Sequence, residues 1–518
     1  MWGARRAGEP ENMDLLIVLG CLVVVIWIYF RNNPLNHSPQ FMFRRFTNWL
    51  PLGMTYAFLY MARYNLNVSK NALGSALSKE DFGLIFGAGT ITYGLSFLLN
   101  GPLVDKIGGK KGIIIAALGA CIANVMMGIV VYLFLHHRLT VNLSLSLAIL
   151  YAANMFFQSY GAVSIIKVKA YWFHVRERGI FGAIFGTLIS FGVYFAFDWG
   201  QAIVEASRVH IDGELTGFQQ FIRYVFATDT GVVDATWLVF FIPSFLLIVW
   251  ALIDIWFLSD TPAQASFEDF DTHDASSGEM DKDFTVFELL KRVFTNPVML
   301  TIALIEFTSG VLRNGIYQWY FIFAKEVKQP GAEFFLKHWG ILLCVTGIVG
   351  GFSAGFISDK LFHSRRGPPA AIFSGFMFIL ATIMSLTLFT SPIAVGTCAI
   401  LISLSVIGVH SIMSGTAAAD FGGRKATATA SGITDGCVYL GSGLQSICLG
   451  YLTTQSWAFW PIFLIPFTAL GLFFSIRIWK NLPEATRKYL VAVEKVDVTV
   501  TSRIKVATTI VTPNQSLN

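Results

Sequence analysis

Charged residues are scarce in this sequence. Asp, Glu, Lys and Arg make up 13% of its 518 residues, whereas hydrophobic types make up 54%, and the mean hydropathy is +0.61. This is not the composition of a water-soluble domain, and the net charge of +5 offers no extended basic surface that would bind nucleic acid. Composition therefore indicates a multi-pass membrane protein.

Signatures of catalysis are also lacking. The sequence has no glycine loop that cradles phosphate and no nucleophile elbow. Its six cysteines fall in apolar runs without metal-ligand or redox spacing, which favours plain packing roles: Cys21, Cys121, Cys344, Cys398, Cys437 and Cys448. We expect no enzymatic activity, no cofactor and no bound metal.

Long apolar runs dominate what remains. Runs of about 20 residues are long enough to cross a bilayer as helices, and they are too long and evenly apolar for barrel strands. The sequence predicts an all-α polytopic membrane protein with one extra N-terminal helix before two sets of six. The candidate spans lie near 15–30, 48–67, 82–104, 112–135, 145–166, 179–198, 236–258, 297–322, 336–357, 369–390, 394–416, 427–452 and 457–479.

The first run could be a signal peptide. Its preceding segment has no net positive charge, however, and no small-residue cleavage site follows it. The basic residues come after it, at Arg31, Arg44 and Arg45. We therefore expect a retained helix whose N-terminus lies outside.

Basic clusters recur on one side of the membrane if the spans alternate, which makes that side cytoplasmic. Lys167 and Lys169 belong to such a cluster, and we expect them on a solvated basic face. The acidic insert 199–235 falls on the external side. The resulting domains are 1–44 (extra helix and connector), 45–258 (first six-helix bundle), 259–296 (polar cytoplasmic linker ending in a surface helix), 297–480 (second bundle) and 481–518 (cytoplasmic tail).

Two arginines interrupt apolar runs, Arg63 in the second run and Arg313 in the eighth. A guanidinium at membrane depth costs a few kcal/mol at least, so such residues usually face a cavity or a protein interior and mark a substrate path. The alternative is snorkelling, in which the long side chain reaches the external interface. A planar fork of donors fits a phosphate or a carboxylate and keeps its charge at any physiological pH.

The two sets of six repeat each other. Asp105, Lys106 and Lys110 close the second core span in a glycine-aspartate-basic pattern, and Asp359, Lys360 and Arg365 close the eighth core span in the same way. Each arginine precedes its copy of the pattern by one loop and one span. A parallel duplication about an axis along the membrane normal brings such equivalent positions face to face across a central cavity.

Several segments resemble the organophosphate:phosphate antiporter family of the major facilitator superfamily. They are Arg63-Tyr64-Asn65-Leu66-Asn67, Tyr93-Gly94, the loop Trp172–Gly179, Leu312–Lys328 and Gly432–Gly441. The resemblance covers roughly residues 45–480. It implies two six-helix bundles related by a pseudo-two-fold axis, a phosphate held by Arg63 and Arg313, exchange against inorganic phosphate, and gating through the two cytoplasmic glycine-aspartate-basic loops.

The sequence departs from that family at four places. Tyr64 replaces a residue that is commonly basic, Phe97 stands where many members carry a lysine, Ile189 aligns with a substrate-site histidine of the glycerol-3-phosphate members, and Gln318 replaces an acid. The two arginines remain while auxiliary charge is lost. The identity of the anion therefore stays open, with a phosphonate or a carboxylate as alternatives.

Other polar residues lie within the runs. We assign Tyr60, Tyr93, Gln158, Tyr317 and Tyr439 to the substrate site together with the arginines. Asp435 and His410 are candidates for a proton site or for structural ion pairs and hydrogen bonds between helices. The aromatic stretch Trp319-Tyr320-Phe321 is expected to face lipid or the interface.

Three functions fit these features. The leading one exchanges a phosphorylated organic anion for inorganic phosphate by alternating access. The second is proton-coupled symport of an organic anion, and the third is a non-transporting sensor of a phosphorylated ligand. We expect a monomer surrounded by membrane lipid, in a bacterial cytoplasmic membrane or alternatively in a eukaryotic organelle membrane.

Overall fold

The computed structural model describes residues 9–31, 33–174, 177–211, 215–226, 233–270, 272, 286–362, 365–417 and 423–481, and within these ranges it contains helices and no strand. The predicted all-α membrane fold is confirmed. The helices are α1 (Glu9–Arg31), α2 (Pro39–Leu73), α3 (Lys79–Ile107), α4 (Gly109–Leu135), α5 (Leu143–Trp172), α6 (Arg178–Tyr194), α7 (Gly200–Ala206), α8 (Gly217–Phe226), α9 (Leu238–Phe257), α10 (Val286–Thr295), α11 (Pro297–Tyr317), α12 (Trp319–Val327), α13 (Glu333–Lys337), α14 (Trp339–Phe356), α15 (Gly367–Thr387), α16 (Pro392–Ala417), α17 (Gly423–Gln455) and α18 (Phe459–Arg477).

Ten segments of the described chain are long and apolar enough to cross a membrane. Three further predicted spans correspond to α2, to α11 with α12, and to α17. Polar side chains lower the hydropathy of these three, and they are the helices that carry Arg63, Arg313 and Tyr439. The chain is an integral, multi-pass membrane protein, and its least apolar spans carry the candidate site.

Local sequence determines where α2, α3 and α11 begin. Before α2, the Ser38 side chain accepts the Phe41 N–H, and Pro39 occupies the first helical turn. Before α3, Ser78 and Asp81 form a reciprocal capping box. Asn296 caps α11 through the N–H groups of Val298 and Met299. These caps fix the first residue of each helix. They thereby help to set the depth in the membrane of Arg63 on α2, of the glycines on α3 and of Arg313 on α11.

We call α2 to α9 the N-terminal half and α11 to α18 the C-terminal half. The halves meet closely along α3 and α17, where glycines face glycines. A Cβ added at Gly94 would lie 2.8 Å from the Gly436 carbonyl oxygen, and one added at Gly83 would lie 2.8 Å from the Gly450 Cα. Small residues let the two backbones touch, as in other membrane helix pairs. We call this contact the glycine seam.

The halves meet again where α6 approaches α14. After α6 the helix widens into a π-helical turn, Phe195–Trp199, that carries Asp198. The Asp198 carboxylate accepts the backbone N–H of Gly340 at 2.8 Å and that of Ile341 at 2.9 Å. Because these are the first N–H groups of α14, a carboxylate of one half caps a helix of the other. We call this contact the Asp198 cap.

Helix α1 touches both halves. Near its cytoplasmic end, the Tyr29 hydroxyl donates to the Met42 carbonyl at 2.7 Å and accepts from Arg45 Nε at 3.0 Å. Near its external end, Asp14 pairs with His338 Nδ1 at 2.9 Å, just before α14. Eight of the other described α1 side chains are exposed apolar groups, whereas Val18 and Val25 are buried, so this helix lies against the bundle with one face toward lipid.

Two basic residues of the cytoplasmic side are buried rather than solvated. The expectation for Lys167 is wrong, because its ammonium group lies 2.9 Å from Asp105 and its side chain is 7% exposed. Arg45 forms a two-fold ion pair with Glu177, with both N–O distances 2.8 Å. Each acid lies on a different helix or loop from its basic partner, so these two ion pairs could not be predicted from the order of charges along the sequence.

The cytoplasmic loops contain most of the remaining predicted gating residues. Lys110 joins α4 to the end of α9, because its backbone N–H donates to Asp260 at 2.7 Å and its side chain donates to the Ile255 carbonyl at 2.8 Å. Burial raises the pKa of the Asp260 carboxyl. Lys106 and Lys360 are exposed and Arg365 is buried, whereas the Asp359 side chain lies outside the described residues.

The aromatic stretch after α11 also differs from expectation. Trp319, Tyr320 and Phe321 are each no more than 1% exposed, so the expected lipid-facing position is wrong. The helix breaks at Gln318, and the Tyr320 ring stacks on Trp339 with centroids 4.4 Å apart. The break directs this segment into aromatic residues of both halves instead of into lipid.

Candidate anion-binding site

Arg63 and Arg313 approach the same tyrosine ring from opposite halves. The guanidinium carbon of Arg63 on α2 lies 5.4 Å from the Tyr439 ring centroid, and that of Arg313 on α11 lies 5.4 Å from it as well. The two guanidinium carbons can therefore be separated by no more than twice that distance. Arg63 is 1% exposed and Arg313 is 4% exposed. The snorkelling alternative is excluded, because neither side chain reaches a surface.

Aromatic rings and one amide hold Arg63 in place. Its guanidinium carbon lies 4.7 Å from the Tyr60 centroid and 4.5 Å from the Tyr93 centroid. Its Nε donates to Gln158 Oε1 at 3.0 Å, and one terminal nitrogen donates to the Tyr439 hydroxyl at 2.8 Å. Ring faces stabilise a buried cation without neutralising it. Arg63 therefore stays positively charged and is kept in one orientation.

Three guanidinium nitrogens in the site donate to no protein acceptor among the described residues. They are one terminal nitrogen of Arg63, and Nε and one terminal nitrogen of Arg313. A buried donor without an acceptor is costly, and more so when it is charged. Two such groups, contributed by two helices to one buried region, have the chemistry of a site for an oxyanion.

The remaining predicted site residue, Tyr317, lies beside this region. Its ring centroid is 6.3 Å from that of Tyr64, whose hydroxyl donates to Asn314 Oδ1 at 2.9 Å. This hydrogen bond joins α2 to α11, because Tyr64 directly follows Arg63 in the sequence and Asn314 directly follows Arg313. Tyr64, the residue at a commonly basic family position, thus links the two halves.

The other departures from the family pattern leave the site poor in auxiliary charge. Phe97 packs against Tyr93 and Tyr439, with ring centroids 4.8 Å and 6.2 Å away. Gln318 is fully buried and bonds Ser446 at 3.4 Å, and Ile189 is half-buried. Within the described part of this site, the two arginines are the cations whose side chains touch Tyr439.

A second polar cluster lies on the cytoplasmic side of the arginines. Glu306 on α11 is fully buried, and its Oε2 lies 2.8 Å from His410 Nδ1 on α16. One turn along α16, the Ser414 hydroxyl donates to Asp435 on α17 at 2.9 Å. His410 and Asp435 were predicted from the sequence, whereas Glu306 was not. The signal was present, because an acid inside an apolar run is as unusual as an arginine.

A family model matches most of the chain. Residues 52–446 match the model described as Major Facilitator Superfamily. Two solved transporters of similar fold are a bacterial homolog of the human lysosomal transporter Spinster, in an inward-facing and unoccupied conformation (TM-score 0.61, 16% identity, 88% of this chain and 98% of that chain), and the FucP transporter in the outward conformation (TM-score 0.53, 15% identity, 83% and 98%).

Curated relatives match over most of their length at low identity. The membrane sensor protein UhpC of Escherichia coli is 24% identical over 79% of this chain and 86% of that protein. The glycerol-3-phosphate transporter of Bacillus subtilis is 23% identical over 82% and 90%. A probable hexose phosphate transport protein of Chlamydia trachomatis is 24% identical over 87% and 94%.

Proposed function

Because the chain belongs to the major facilitator superfamily, we propose that it moves a phosphorylated organic anion across the membrane in exchange for inorganic phosphate. One observation carries the proposal: two buried guanidinium groups, one from each half, lie 5.4 Å from the same Tyr439 ring and retain N–H donors without protein acceptors. The relatives named as glycerol-3-phosphate and hexose phosphate transporters support the choice of anion.

The chemistry of the site favours a tetrahedral oxyanion. A guanidinium presents paired donors that match two oxygens of a phosphate, and two guanidinium groups facing one region can engage oxygens on opposite sides of the phosphorus. The organic part would lie among the tyrosine rings and Phe97 rather than against further cations. This arrangement suits an ester whose non-phosphate part carries no charge.

Exchange follows from charge. With no anion bound, two positive groups repel each other and oppose closure of the halves around them. A bound dianion removes that repulsion. The loaded protein therefore changes between its outward-open and inward-open states more readily than the empty protein. The carrier therefore returns with an anion on each half-cycle, which couples outward movement of phosphate to inward movement of the ester.

The decisive assay is counterflow in vesicles loaded with inorganic phosphate. Purified protein is reconstituted, and uptake of labelled phosphate is measured against external phosphate esters, a phosphonate and a carboxylate. Arg63→Lys and Arg313→Lys are each expected to reduce exchange at least about tenfold although charge is kept, because an ammonium cannot donate as a bidentate fork. Arg138→Lys is the matched control, since Arg138 is exposed in the external loop after α4.

Wild-type exchange rates in either arginine variant would overturn the role of that residue. Equal exchange of the carboxylate and the phosphate esters would overturn the substrate class. Uptake that continues without internal phosphate and collapses with an uncoupler would identify the proton-coupled symporter instead.

A non-transporting sensor is the second candidate, and one observation favours it: a relative with 86% of its length matched is named a membrane sensor protein. A sensor would bind a phosphorylated ligand through the same arginines and pass the bound state to a partner. Ligand binding to purified protein, combined with no counterflow in vesicles that contain correctly inserted protein, would favour this function over exchange.

A further inference from the structure

The Glu306 carboxylate has a role that the anion site alone does not explain. It is 0% exposed, its Oε1 has no hydrogen-bond partner among the described residues, and its Oε2 lies 2.8 Å from His410 Nδ1. Removing a charged carboxylate from water is expensive, so one is kept inside a membrane protein where its charge or its proton is used.

Glu306 lies directly below the anion site. It precedes Arg313 by seven residues on α11, which places both side chains on one face of the helix at a rise of about 10 Å. Asp435 precedes Tyr439 by four residues on α17 and so shares a face with it. The acidic layer is therefore stacked on the cytoplasmic side of the layer formed by Arg313 and Tyr439.

His410 is the exposed member of the pair. Its side chain is 25% exposed, whereas its partner Glu306 has no exposure. The imidazole is therefore the part of the pair at which we expect a proton to arrive. Among the residues that the structure describes, the charged and titratable groups within electrostatic reach of the pair are Arg313 on α11, and Asp435 and Cys437 on α17.

The acids are distributed unevenly between the two arginines. The side chains around Arg63 are tyrosines and a glutamine, whereas Arg313 lies within electrostatic reach of Glu306, and Asp435 lies within electrostatic reach of the Tyr439 hydroxyl that Arg313 also influences. Each negative charge in a low-dielectric interior opposes the entry of another anion beside Arg313. A proton on the Glu306–His410 pair cancels one of these charges.

We propose that Glu306 and His410 together form a proton-binding site that is linked to the anion at Arg313, so that one proton is taken up by the pair when the anion binds and is released when it leaves. The proton comes from water and remains on the two side chains, and no covalent bond or electron is transferred. The proposal rests on the proposed function, because it takes Arg63 and Arg313 as the anion ligands.

Linkage fixes the sign of the effect. If the anion raises the proton affinity of the pair, then a proton on the pair raises the affinity for the anion by the same factor. Anion affinity should therefore fall as the pH rises through the titration of the pair. With one proton per anion, the dissociation constant changes by up to about tenfold per pH unit.

The experiment measures the dissociation constant of inorganic phosphate for purified protein across a pH series. The variant Glu306→Gln with His410→Gln removes both proton-binding groups, and the two single variants test each group. Glu333→Gln is the matched control, because it removes an exposed external carboxylate. Phosphate itself titrates in the same way in every sample. Dividing the wild-type dissociation constant by that of the variant therefore leaves only the effect of protons bound by the protein.

We expect that ratio to rise with pH by up to about tenfold per unit, and to stay flat when Glu333→Gln replaces the double variant in the comparison. In weakly buffered detergent solution, a pH dye should report proton uptake on phosphate addition to the wild type and less uptake by the double variant. A ratio for the double variant that is constant over the series would overturn the proposal.

The two proposals fail in different ways. If the double variant matches the wild type at every pH while Arg63→Lys and Arg313→Lys still abolish phosphate binding, only the proton linkage fails. If the lysine variants bind phosphate normally, the anion site fails first. Phosphate binding by the double variant at any pH shows that it has folded, and if it binds at none, the single variants decide the outcome through the same ratio.

Discussion

Tyr439 occupies a special position at the scale of single residues. Its ring faces both arginines, and its hydroxyl accepts a hydrogen bond from Arg63 at 2.8 Å. The hydroxyl is thus a neutral acceptor on a guanidinium that we propose to bind an anionic oxygen. It satisfies one charged donor when no anion is bound and can yield that donor when one arrives.

Tyr439→Phe tests this role, because it removes the acceptor and keeps the ring. Without the hydroxyl, the anion-free protein holds one more unpaired charged donor, which raises its free energy relative to the bound state by about 1–3 kcal/mol. We expect the dissociation constant of phosphate to decrease severalfold. Isothermal titration of the purified variant against the wild type measures it.

Tyr93→Phe serves as the comparison, since Tyr93 offers its ring to Arg63 at 4.5 Å from another helix. A weaker phosphate affinity in Tyr439→Phe would mean that the hydroxyl contacts the anion itself. That result would contradict the proposal that the hydroxyl only occupies the Arg63 donor until an anion binds. The proposed roles of the two arginines would be unchanged.

The sequence identifies individual residues well when they violate the chemistry of their surroundings. Arg63 and Arg313 could be singled out because cations are rare in apolar runs, and Glu306 carries the same signal. The burial of Lys167 could not be predicted, because its neutralising acid, Asp105, lies on a different helix. Pairing across helices depends on tertiary contacts, which the order of charges along the sequence does not reveal.

Among the structural elements, the junction of α6 with α14 joins the two halves on the predicted external side. The Asp198 cap supplies two charge-assisted hydrogen bonds to the first turn of α14. Next to it, the Phe197 ring packs on Phe321 of α12 with centroids 5.3 Å apart. Both contacts join the N-terminal half to the C-terminal half outside the arginines.

Asp198→Ala should loosen this junction, because it leaves two N–H groups of α14 without their acceptor. In a background without native cysteines, Phe197→Cys is expected to react severalfold faster with a membrane-impermeant thiol reagent when Asp198 is replaced. The rate of labelling in whole vesicles measures the change. Equal rates with and without Asp198 would show that the cap does not hold the external side closed.

The positions of most spans were predictable from the apolar runs, although α2 begins at Pro39, nine residues before the expected start near 48. The break at Gln318 and the π turn at Phe195–Trp199 were not. Both depend on what the helix packs against: aromatic rings of both halves in the first case, and the start of α14 in the second. Local propensity does not encode such partners.

At the scale of the whole molecule, hydrogen bonds between described residues of the two halves lie at the level of the arginines or external to it. Lys79 of α3 bonds Glu326 of α12 and the Thr453 carbonyl of α17, each at 2.9 Å. Together with the Asp198 cap, these contacts join the halves at the external end. Alternating access would require them to break while the glycine seam holds the halves together.

Locking this external contact tests the rocking motion. Lys79→Cys with Glu326→Cys, joined by a short reagent that forms disulfides at both ends, should abolish phosphate exchange, and reduction should restore it. The rate of counterflow before linking, after linking and after reduction measures the effect. A static pathway through the protein would continue to exchange with the link in place.

A matched link within one half provides the control. Arg44→Cys with Ser259→Cys joins α2 to the segment after α9, and this contact is internal to the N-terminal half. Exchange should survive this link. Loss of exchange with both links would point to damage by the reagent rather than to restricted movement between the halves.

Helix α1 is fastened to the C-terminal half at Asp14 and to the N-terminal half at Tyr29, and the side it turns away from the bundle meets lipid tails. Any stretching or thinning of the surrounding bilayer would pull on a segment that is anchored at both ends to parts that would move apart in alternating access. The turnover of this protein should therefore respond to acyl-chain length, and vesicles made from shorter or longer lipids would act on it as a mechanical load.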